Sequence, residues 1–292
     1  MIAGTIPALV TPFTDCGAEV DGDLLDEHVA WLFGRGVRCV SPMGTTGEGP
    51  SLSLEERKRM LEGLAGHPSG ISLLAATGCT SLPETIELSR FALELGVAGL
   101  LVAPPSYYDA SPAGTTAYFL SLFEALPRSA RVFLYHIPPQ TGVAIEDETL
   151  SALAARYGEM LAGTKDSGGD VEHAVTWMGA FPNLTILNGS DATAARAYEA
   201  GGRGTITLLA NVFPEELEGI RGGDEVERRQ RFLAAARALV GRFPRHAALK
   251  HLLHLVSGLP RSSVRPPLDE LSDEQADELA TRFHELRSEA HV

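Results

Sequence analysis

Eight short apolar runs, each followed by a stretch with helical periodicity, occupy the chain up to about residue 223. The apolar runs begin near residues 4, 37, 71, 97, 132, 160, 184 and 204. Strands that are apolar almost throughout are typical of parallel sheets with both faces covered by helices. Eight such strand–helix units favour a closed (β/α)8 barrel over an open doubly wound sheet.

The pattern becomes wholly helical from about residue 224. Helical periodicity predicts helices over residues 226–241, 245–257 and 272–287, and a proline-rich link over 258–267 separates the last two. We therefore predict a catalytic barrel over residues 1–223 and a helical extension over residues 224–292.

Charge and cysteine content restrict the possible partners. A formal charge of −14 argues against a nucleic-acid or anionic-membrane surface, because both require clustered positive charge. Cys16, Cys39 and Cys79 lack the spacing of a disulfide framework or a metal site, which indicates free thiols in a reducing cytoplasm. The first residues show neither the basic segment nor the cleavage pattern of an export signal, and no apolar run approaches the roughly 20 residues of a membrane span. We expect a soluble cytoplasmic protein.

Polar residues gather at the predicted strand ends, where the active sites of such barrels lie. The second strand ends in Gly-Thr-Thr-Gly-Glu-Gly at residues 44–49, and the fifth ends at Tyr135. The sixth ends at Lys165, and the seventh in Asn-Gly-Ser-Asp at residues 188–191. An amine, a phenol and a small-residue loop are therefore expected at one rim of the barrel.

Lys165 is one of only three lysines among 24 basic residues. An amine can lose its proton and attack a carbonyl, whereas a guanidinium stays charged. The alternative interpretation is an ordinary lysine in a surface turn. Tyr135 has two interpretations as well, a proton relay beside that amine or a buried tyrosine with a satisfied hydroxyl.

The loop after the second strand suits an anion, because free backbone N–H groups and the hydroxyls of Thr45 and Thr46 can donate to it. A tight turn capped by threonine is the alternative. The loop lacks the Gly-Lys-Ser/Thr sequence and the glycine spacing of nucleotide loops, so a carboxylate is the expected ligand.

Histidines do not form a recognisable metal motif. No His-Glu-x-x-His sequence and no histidine cluster at the strand ends are visible, and His246, His251 and His254 are interpreted as packing or surface residues on one helix. We predict no metal and no cofactor, and assign no role to His136.

Several motifs together resemble one known family. They are Thr11-Pro12-Phe13, Gly44-Thr45-Thr46-Gly47-Glu48, Tyr107-Tyr108, Tyr135 with Pro138, Lys165 and Gly189. The chain resembles the dihydrodipicolinate synthase and N-acetylneuraminate lyase family of (β/α)8 barrels over nearly its whole length. The resemblance implies catalysis without a cofactor, through a lysine Schiff base with pyruvate, in a homotetramer built from tight dimers.

The resemblance also implies a role for each matching residue. Lys165 would form the imine, Thr45 and Thr46 would hold the carboxylate, and Tyr135 would carry protons. Tyr107 or Tyr108 would support that relay, in many relatives across a subunit contact. The expected catalytic residues are Lys165, Tyr135, Thr46, Tyr107 and Tyr108; the expected substrate-binding residues are Thr45, Thr46, Gly47, Gln140, Ser167, Gly189, Ser190, Asp191 and Ile206.

Individual positions favour some branches of the family over others. Gln140 occupies the position at which the synthases usually have an arginine that binds the carboxylate of the aldehyde partner. Leu208 or Leu209 occupies the position at which sialic-acid lyases have a serine. Both differences weaken the resemblance to those two branches. Residues 44–53 and 265–268 resemble 2-keto-3-deoxygluconate aldolases, and residues 165–170 resemble 4-hydroxy-2-oxoglutarate aldolases.

We therefore expect a lyase that releases pyruvate from a 2-keto-3-deoxy sugar acid or a 4-hydroxy-2-oxo acid. The first alternative is a dihydrodipicolinate synthase that condenses pyruvate with aspartate semialdehyde. A second is a barrel that has lost its chemistry and only binds ligands. A sugar-phosphate isomerase would need a phosphate loop after the seventh and eighth strands, whereas the glycines at residues 201–204 precede the eighth.

Overall fold

The structure, a computed structural model, describes residues 2–290 and contains a ring of parallel strands. The strands are β1 (Gly4–Pro7), β2 (Cys39–Val40), β3 (Ser72–Ala76), β4 (Gly99–Val102), β5 (Val132–His136), β6 (Leu161–Asp166), β7 (Thr185–Asn188) and β8 (Gly204–Thr207). They are hydrogen-bonded in the order β1-β8-β7-β6-β5-β4-β3-β2, and a parallel bridge between Ala8 and Ser41 closes the ring. The predicted (β/α)8 barrel is confirmed.

Helices follow the strands along the chain and cover the outside of the barrel. They are α1 (Gly22–Gly34), α2 (Leu54–Ala65), α3 (Leu82–Glu94), α4 (Pro112–Ala125), α5 (Pro138–Thr141), α6 (Asp147–Tyr157), α7 (Val171–Ala180), α8 (Ala194–Glu199), α9 (Pro214–Gly222), α10 (Val226–Val240), α11 (Arg245–Ser257) and α12 (Asp273–Ala290). A capping box begins α2, because the Ser53 side chain accepts from the Glu56 N–H and the Glu56 side chain accepts from the Ser53 N–H. None of the helices between residues 2 and 290 has the length and hydropathy that a bilayer crossing requires.

Alternation along the strands decides which side chains point into the barrel. In β5, Phe133 and Tyr135 belong to the apolar cluster inside the ring, whereas Val132 and Leu134 pack outward against the helices. Successive side chains of a strand point to opposite faces. The same alternation places Lys165 inside, because it is the register partner of Tyr135.

Two segments differ from the prediction. The apolar run from residue 37 to residue 43 has the pattern of a full strand, but β2 spans only Cys39–Val40. Met43 already has a φ of 62°, a left-handed conformation that cannot continue a strand. The short helix α5 was not predicted; it begins with Pro138 and Pro139, which fit a first helical turn because its N–H groups need no partner there.

The three C-terminal helices share an apolar core with the last barrel units. Phe213, just before α9, lies 5.1 Å from Phe232 of α10 and 5.8 Å from Phe283 of α12, measured between ring centroids. This core crosses the predicted boundary at residue 223, and the division of the chain there stays a prediction. Through this packing α10 and α11 come to lie beside the carboxyl ends of the strands.

Candidate active site

A cavity of about 270 Å³ lies at the carboxyl ends of the barrel strands. Most of the residues expected to contact substrate line it: Thr45, Thr46, Tyr135, Gln140, Lys165, Ser167, Gly189, Ser190 and Ile206. These residues come from the ends of five strands or the loops that follow them. The barrel thus collects in one place the amine, the phenol and the hydroxyls that are far apart in the sequence.

Lys165 and Tyr135 are neighbours across β5 and β6. They are register partners, and the Lys165 Nζ lies 4.1 Å from the centroid of the Tyr135 ring. Both residues are buried, with exposures of 4% and 5%. The backbone register fixes this pair, so the amine and the phenol reach the cavity together.

The Tyr135 phenol lies in an environment that favours its ionised form. Burial alone would raise the pKa of Tyr135, but the charge of Lys165 and hydrogen bonding by Thr45, Lys165 and Ser167 outweigh burial and lower it. The Tyr135 hydroxyl is 3.4 Å from the Thr45 Oγ1. A phenol with a lowered pKa, next to an amine, is suited to accept and return a proton.

Gly47 shapes the loop after β2 but does not line the cavity. A Cβ at Gly47 would lie 2.5 Å from the Leu9 carbonyl oxygen, and the Gly47 carbonyl accepts a 2.6 Å hydrogen bond from the Thr11 hydroxyl. Only glycine fits so close to the segment that follows β1. Gly47 therefore lets the loop pack against this segment, which differs from the direct substrate contact expected from the sequence.

The C-terminal helices hold the same loop from outside the barrel. His246 donates from Nε2 to the Thr45 carbonyl at 3.0 Å. The Lys250 Nζ lies 2.6 Å from the Glu48 Oε1 and donates to the Ser263 carbonyl at 2.6 Å. The other Glu48 oxygen accepts from the Arg265 N–H at 2.9 Å. The extension thus fixes the residues on either side of Thr46.

A cluster of His136, Asp166 and His173 lies beneath the loop that follows Lys165. Asp166 accepts from the Gly168 N–H at 2.8 Å with Oδ1, and its Oδ2 is 2.6 Å from the His173 Nδ1. The His136 and His173 rings stack with centroids 4.8 Å apart. Burial lowers the pKa of His136, and the charge of Asp166 opposes this change.

Ligand atoms of these three residues all lie within 4.8 Å of one another, which is close enough for a cation. However, the His136 Nδ1 already accepts from the Ile145 N–H at 3.2 Å, and the His173 Nδ1 is bonded to Asp166. The cluster therefore acts as a hydrogen-bonded support for the loop. Only His136 of the two histidines lies at a strand end, and His173 comes from α7.

Gly189 closes the other side of this loop. Its N–H donates to the Asp166 carbonyl at 2.7 Å. A Cβ at Gly189 would collide with the Ser167 hydroxyl and lie 2.6 Å from the Asp166 carbonyl oxygen. The absence of a side chain at Gly189 therefore keeps Ser167 in the cavity.

Asp191 does not reach the cavity. It is only 1% exposed and accepts from the Leu209 N–H at 3.1 Å. Burial raises the pKa of Asp191, and its hydrogen bonds and the charge of Arg237 oppose this. The expectation that Asp191 contacts a substrate hydroxyl is thus replaced by a structural role, in which it ties the β7 end to the segment after β8.

Tyr107 and Tyr108 are also outside the cavity of this single chain. They are 88% and 78% exposed, and their ring centroids lie 5.2 Å apart in an edge-on contact. Tyr107 has a φ of 100°, which is unusual for a residue with a side chain. Their participation in a relay across a subunit contact stays a prediction.

Three cavity residues from the helical extension were not predicted: Arg237, Arg245 and His246. They lie more than seventy positions after Lys165, and strand-end reasoning does not extend to helices outside the barrel. One signal was available. Arg237 interrupts the apolar stripe of α10, where Leu233, Ala236 and Val240 are buried.

Comparisons with known proteins agree with this geometry. The sequence profile of the dihydrodipicolinate synthetase family matches residues 1–286. A DapA-like lyase of Chloroflexus aurantiacus is 41% identical over 289 residues, which cover 97% of this chain and 96% of that protein. The 4-hydroxy-tetrahydrodipicolinate synthase of Methanopyrus kandleri is 32% identical over 294 residues, 98% of this chain and 96% of that protein.

A solved structure is similar over the full fold. YagE is a prophage protein of E. coli K12 that belongs to the dihydrodipicolinic acid synthase family, and its structure is a complex with pyruvate. It superposes with a TM-score of 0.90 at 28% sequence identity, over 98% of this chain and 99% of that chain.

Proposed function

The chain belongs to the dihydrodipicolinate synthetase family of pyruvate aldolases and lyases, and we propose that it works through a Schiff base on Lys165. Pyruvate would be the enamine partner in the carbon–carbon bond that is broken or formed. The observation that carries this proposal is the buried pair of Lys165 and Tyr135, with the Lys165 Nζ 4.1 Å from the phenol ring. The complex of the similar protein YagE with pyruvate supports the same interpretation.

The proposed reaction begins when Lys165 gives a proton to the Tyr135 phenolate and its amine adds to the keto carbon of a 2-oxo acid. Tyr135 returns this proton to the departing hydroxyl, so that water leaves and a protonated imine remains. Tyr135 then removes the proton of the C4 hydroxyl while the C3–C4 bond breaks, and the electron pair of that bond moves toward the imine nitrogen. An aldehyde is released, the enamine takes at C3 the proton that Tyr135 holds, and water hydrolyses the imine to free pyruvate.

Thr45 and Thr46 are proposed to bind the carboxylate of the 2-oxo acid. Both line the cavity with Lys165, and the hydrogen bond from His246 to the Thr45 carbonyl orients their loop. A carboxylate held there would place the keto carbon toward the amine. Productive geometry of this kind contributes several orders of magnitude to a rate.

For the substrate we propose a 2-keto-3-deoxy sugar acid or a 4-hydroxy-2-oxo acid. Gln140 lines the cavity and offers an amide for a hydroxyl, in place of the fixed cation that the synthases use. Ser167 and Ser190 add further polar groups. The second candidate is condensation of pyruvate with aspartate semialdehyde, which the synthase of M. kandleri supports at 32% identity. We also propose, from the family resemblance, that the protein is a homotetramer in the cytoplasm.

Trapping with borohydride tests the mechanism. Incubation with pyruvate and borohydride, followed by intact mass and peptide mapping, is expected to show one adduct per chain on Lys165. The adduct should be lost in Lys165→Arg and kept in Lys58→Arg, which changes a surface lysine outside the cavity. An unmodified wild-type chain would exclude the Schiff base and favour a binding protein that has kept only the fold.

A substrate panel then decides between the two reactions. Pyruvate release is measured with 2-keto-3-deoxygluconate and 4-hydroxy-2-oxoglutarate, and pyruvate consumption with aspartate semialdehyde. The lyase proposal expects the larger kcat/KM for cleavage. A larger kcat/KM for condensation would assign the synthase reaction instead.

A further inference from the structure

Two arginines from the helical extension reach the cavity that contains Lys165. Arg237 lies on α10, Arg245 is the first residue of α11, and both line this cavity. Arg237 is half-buried, and Arg245 lies exposed at the rim. The steps proposed for the pyruvate end of the reaction use neither of them.

Both guanidinium groups lack a partner among residues 2–290. The Arg237 Nη1 is buried without any hydrogen-bond acceptor. The Asp191 carboxylate attracts Arg237 without forming an ion pair with it, and it already accepts from the Leu209 N–H. The charge of Arg245 repels that of Arg237. A buried guanidinium nitrogen without an acceptor is costly, so an anion is expected to complete this site.

The other arginines of α10 show that this lack of partners is specific to the cavity. Arg228 lies 2.9 Å from Glu225, and Arg229 lies 2.9 Å from Glu216. Arg231 lies 3.9 Å from Glu227. Every outward arginine of the helix thus pairs with a carboxylate, whereas Arg237, which interrupts the apolar stripe, has none.

Local electrostatics favour an anion over a neutral group at this place. Burial lowers the pKa of Arg237, and repulsion from Arg245 acts in the same direction. The first turn of α11 begins at Arg245 without a side-chain cap, so the positive end of the helix adds to the potential. A carboxylate or a phosphate would relieve both effects and could bind the planar guanidinium through two parallel hydrogen bonds.

From these observations we infer that the substrate carries an anionic group at the end remote from its 2-oxo acid, and that Arg237 binds this group with help from Arg245. The inference rests on the proposed function, in which Lys165 binds the keto carbon and Thr45 and Thr46 bind the first carboxylate. It selects 4-hydroxy-2-oxo diacids and phosphorylated 2-keto-3-deoxy acids over acids with a neutral polyol tail. Arg237 and Arg245 would thus provide, from the helical extension, the positive charge that the synthases usually place at the position of Gln140.

Binding of uncleavable probes tests the inference without requiring turnover. Calorimetry compares 2-oxoglutarate with 2-oxoglutaramate, and 2-oxoadipate with its terminal amide, so that each pair differs in one charge at equal shape. A hydrogen bond to a charged group is stronger than one to a neutral group. Of the two diacids, the one whose length suits the cavity is therefore expected to bind about tenfold to a hundredfold more tightly than its amide. Diacids that bind no better than their amides at both lengths would overturn the inference.

Variants assign the effect to the two arginines. Arg237→Gln is expected to remove most of the preference for the diacid, and Arg245→Gln a smaller part. The matched control is Arg242→Gln, which changes an exposed arginine that lies 3.8 Å from Glu278; it should leave the preference intact. Equal weakening of diacid and amide in Arg237→Gln would show a merely structural role and contradict the inference.

Two further measurements separate the possible outcomes. Pyruvate trapping by borohydride should be unchanged in Arg237→Gln; a loss of trapping would mean that Arg237 binds the first carboxylate instead, against the inference. Absence of trapping in the wild type would defeat only the proposed function, because the calorimetric comparison still decides the charge preference. Pyruvate release from 4-hydroxy-2-oxoglutarate and from 2-keto-3-deoxy-6-phosphogluconate, each compared with 2-keto-3-deoxygluconate, then tells whether the anion is a carboxylate or a phosphate.

Discussion

The substitution Lys250→Met tests how the helical extension supports the active site. The Lys250 Nζ lies 2.6 Å from the Glu48 Oε1, and the two side chains are 1% and 0% exposed. Apart from this ion pair, the Glu48 Oε1 accepts no hydrogen bond from the described residues. Removal of the ammonium would leave a buried carboxylate two residues from Thr46 that keeps the Arg265 N–H as a donor but has lost its counter-ion.

The expected cost follows from that burial. Breaking a buried ion pair from one side typically destabilises a protein by about 3–5 kcal/mol, because the remaining charge has no partner. The double substitution Glu48→Gln with Lys250→Met removes the charge as well, and the new side-chain amide could still accept from the Arg265 N–H. We therefore expect the double variant to recover most of the free energy of unfolding that the single variant loses.

Urea denaturation followed by circular dichroism measures these free energies. Lys58→Met provides the matched control, because Lys58 pairs with Glu87 at 2.7 Å on the surface, where such pairs contribute little. Lys250→Met should also raise the KM for pyruvate, since the Thr45–Thr46 loop loses its support. A cost for Lys250→Met no larger than that for Lys58→Met would refute the reasoning from burial.

Three further predictions concern the relay, the loop after β6 and the core. Tyr135→Phe should reduce kcat for pyruvate release by about 10²–10⁴ with little change in KM, since it removes only the proton carrier; an unchanged kcat would exclude that role. Gly189→Ala should displace Ser167 and lower kcat/KM about a hundredfold, whereas Gly179→Ala, where a Cβ meets nothing within 4 Å, should not. Burial lowers the pKa of His28 from 6.5 to about 4 in the folded protein. As the pH falls, the unfolded chain therefore takes up a proton on His28 before the folded chain does. The free energy of unfolding is expected to fall by about 3 kcal/mol between pH 6.5 and pH 4. His28→Gln should remove that part of the pH dependence of the urea midpoint, and parallel curves for both proteins would contradict it.

The chemistry-bearing residues could be predicted because strands have simple rules. Side chains alternate with a period of two, and the carboxyl ends of parallel strands meet at one rim. These two rules are enough to bring Lys165, Tyr135 and the Thr45–Thr46 loop together. The structure adds their register and the 4.1 Å between the Lys165 Nζ and the Tyr135 ring, which no pattern in the sequence specifies.

Prediction failed where the position of a side chain depends on tertiary packing. Asp191 follows β7 and was expected in the cavity, but its carboxylate turns to the Leu209 N–H, a contact that only the fold creates. His173 is bonded to Asp166 because α7 folds back over the end of β6. Periodicity placed Arg237 on a helix but gave no information about which part of the barrel that helix covers.

Reaction and substrate recognition therefore depend on different parts of the fold. The hydrogen-bond register of β5 and β6 fixes Lys165 against Tyr135, and the proposed imine chemistry depends on this pair. The helices that carry Arg237 and Arg245 pack through an apolar core that includes Phe213, Phe232 and Phe283. Substitutions of Arg237 and Arg245 are thus expected to change which aldehyde is accepted more than they change the carbon–carbon chemistry. The motifs at the strand ends are therefore enough to indicate the mechanism. The substrate cannot be inferred from them, because it depends on side chains of helices that follow the barrel.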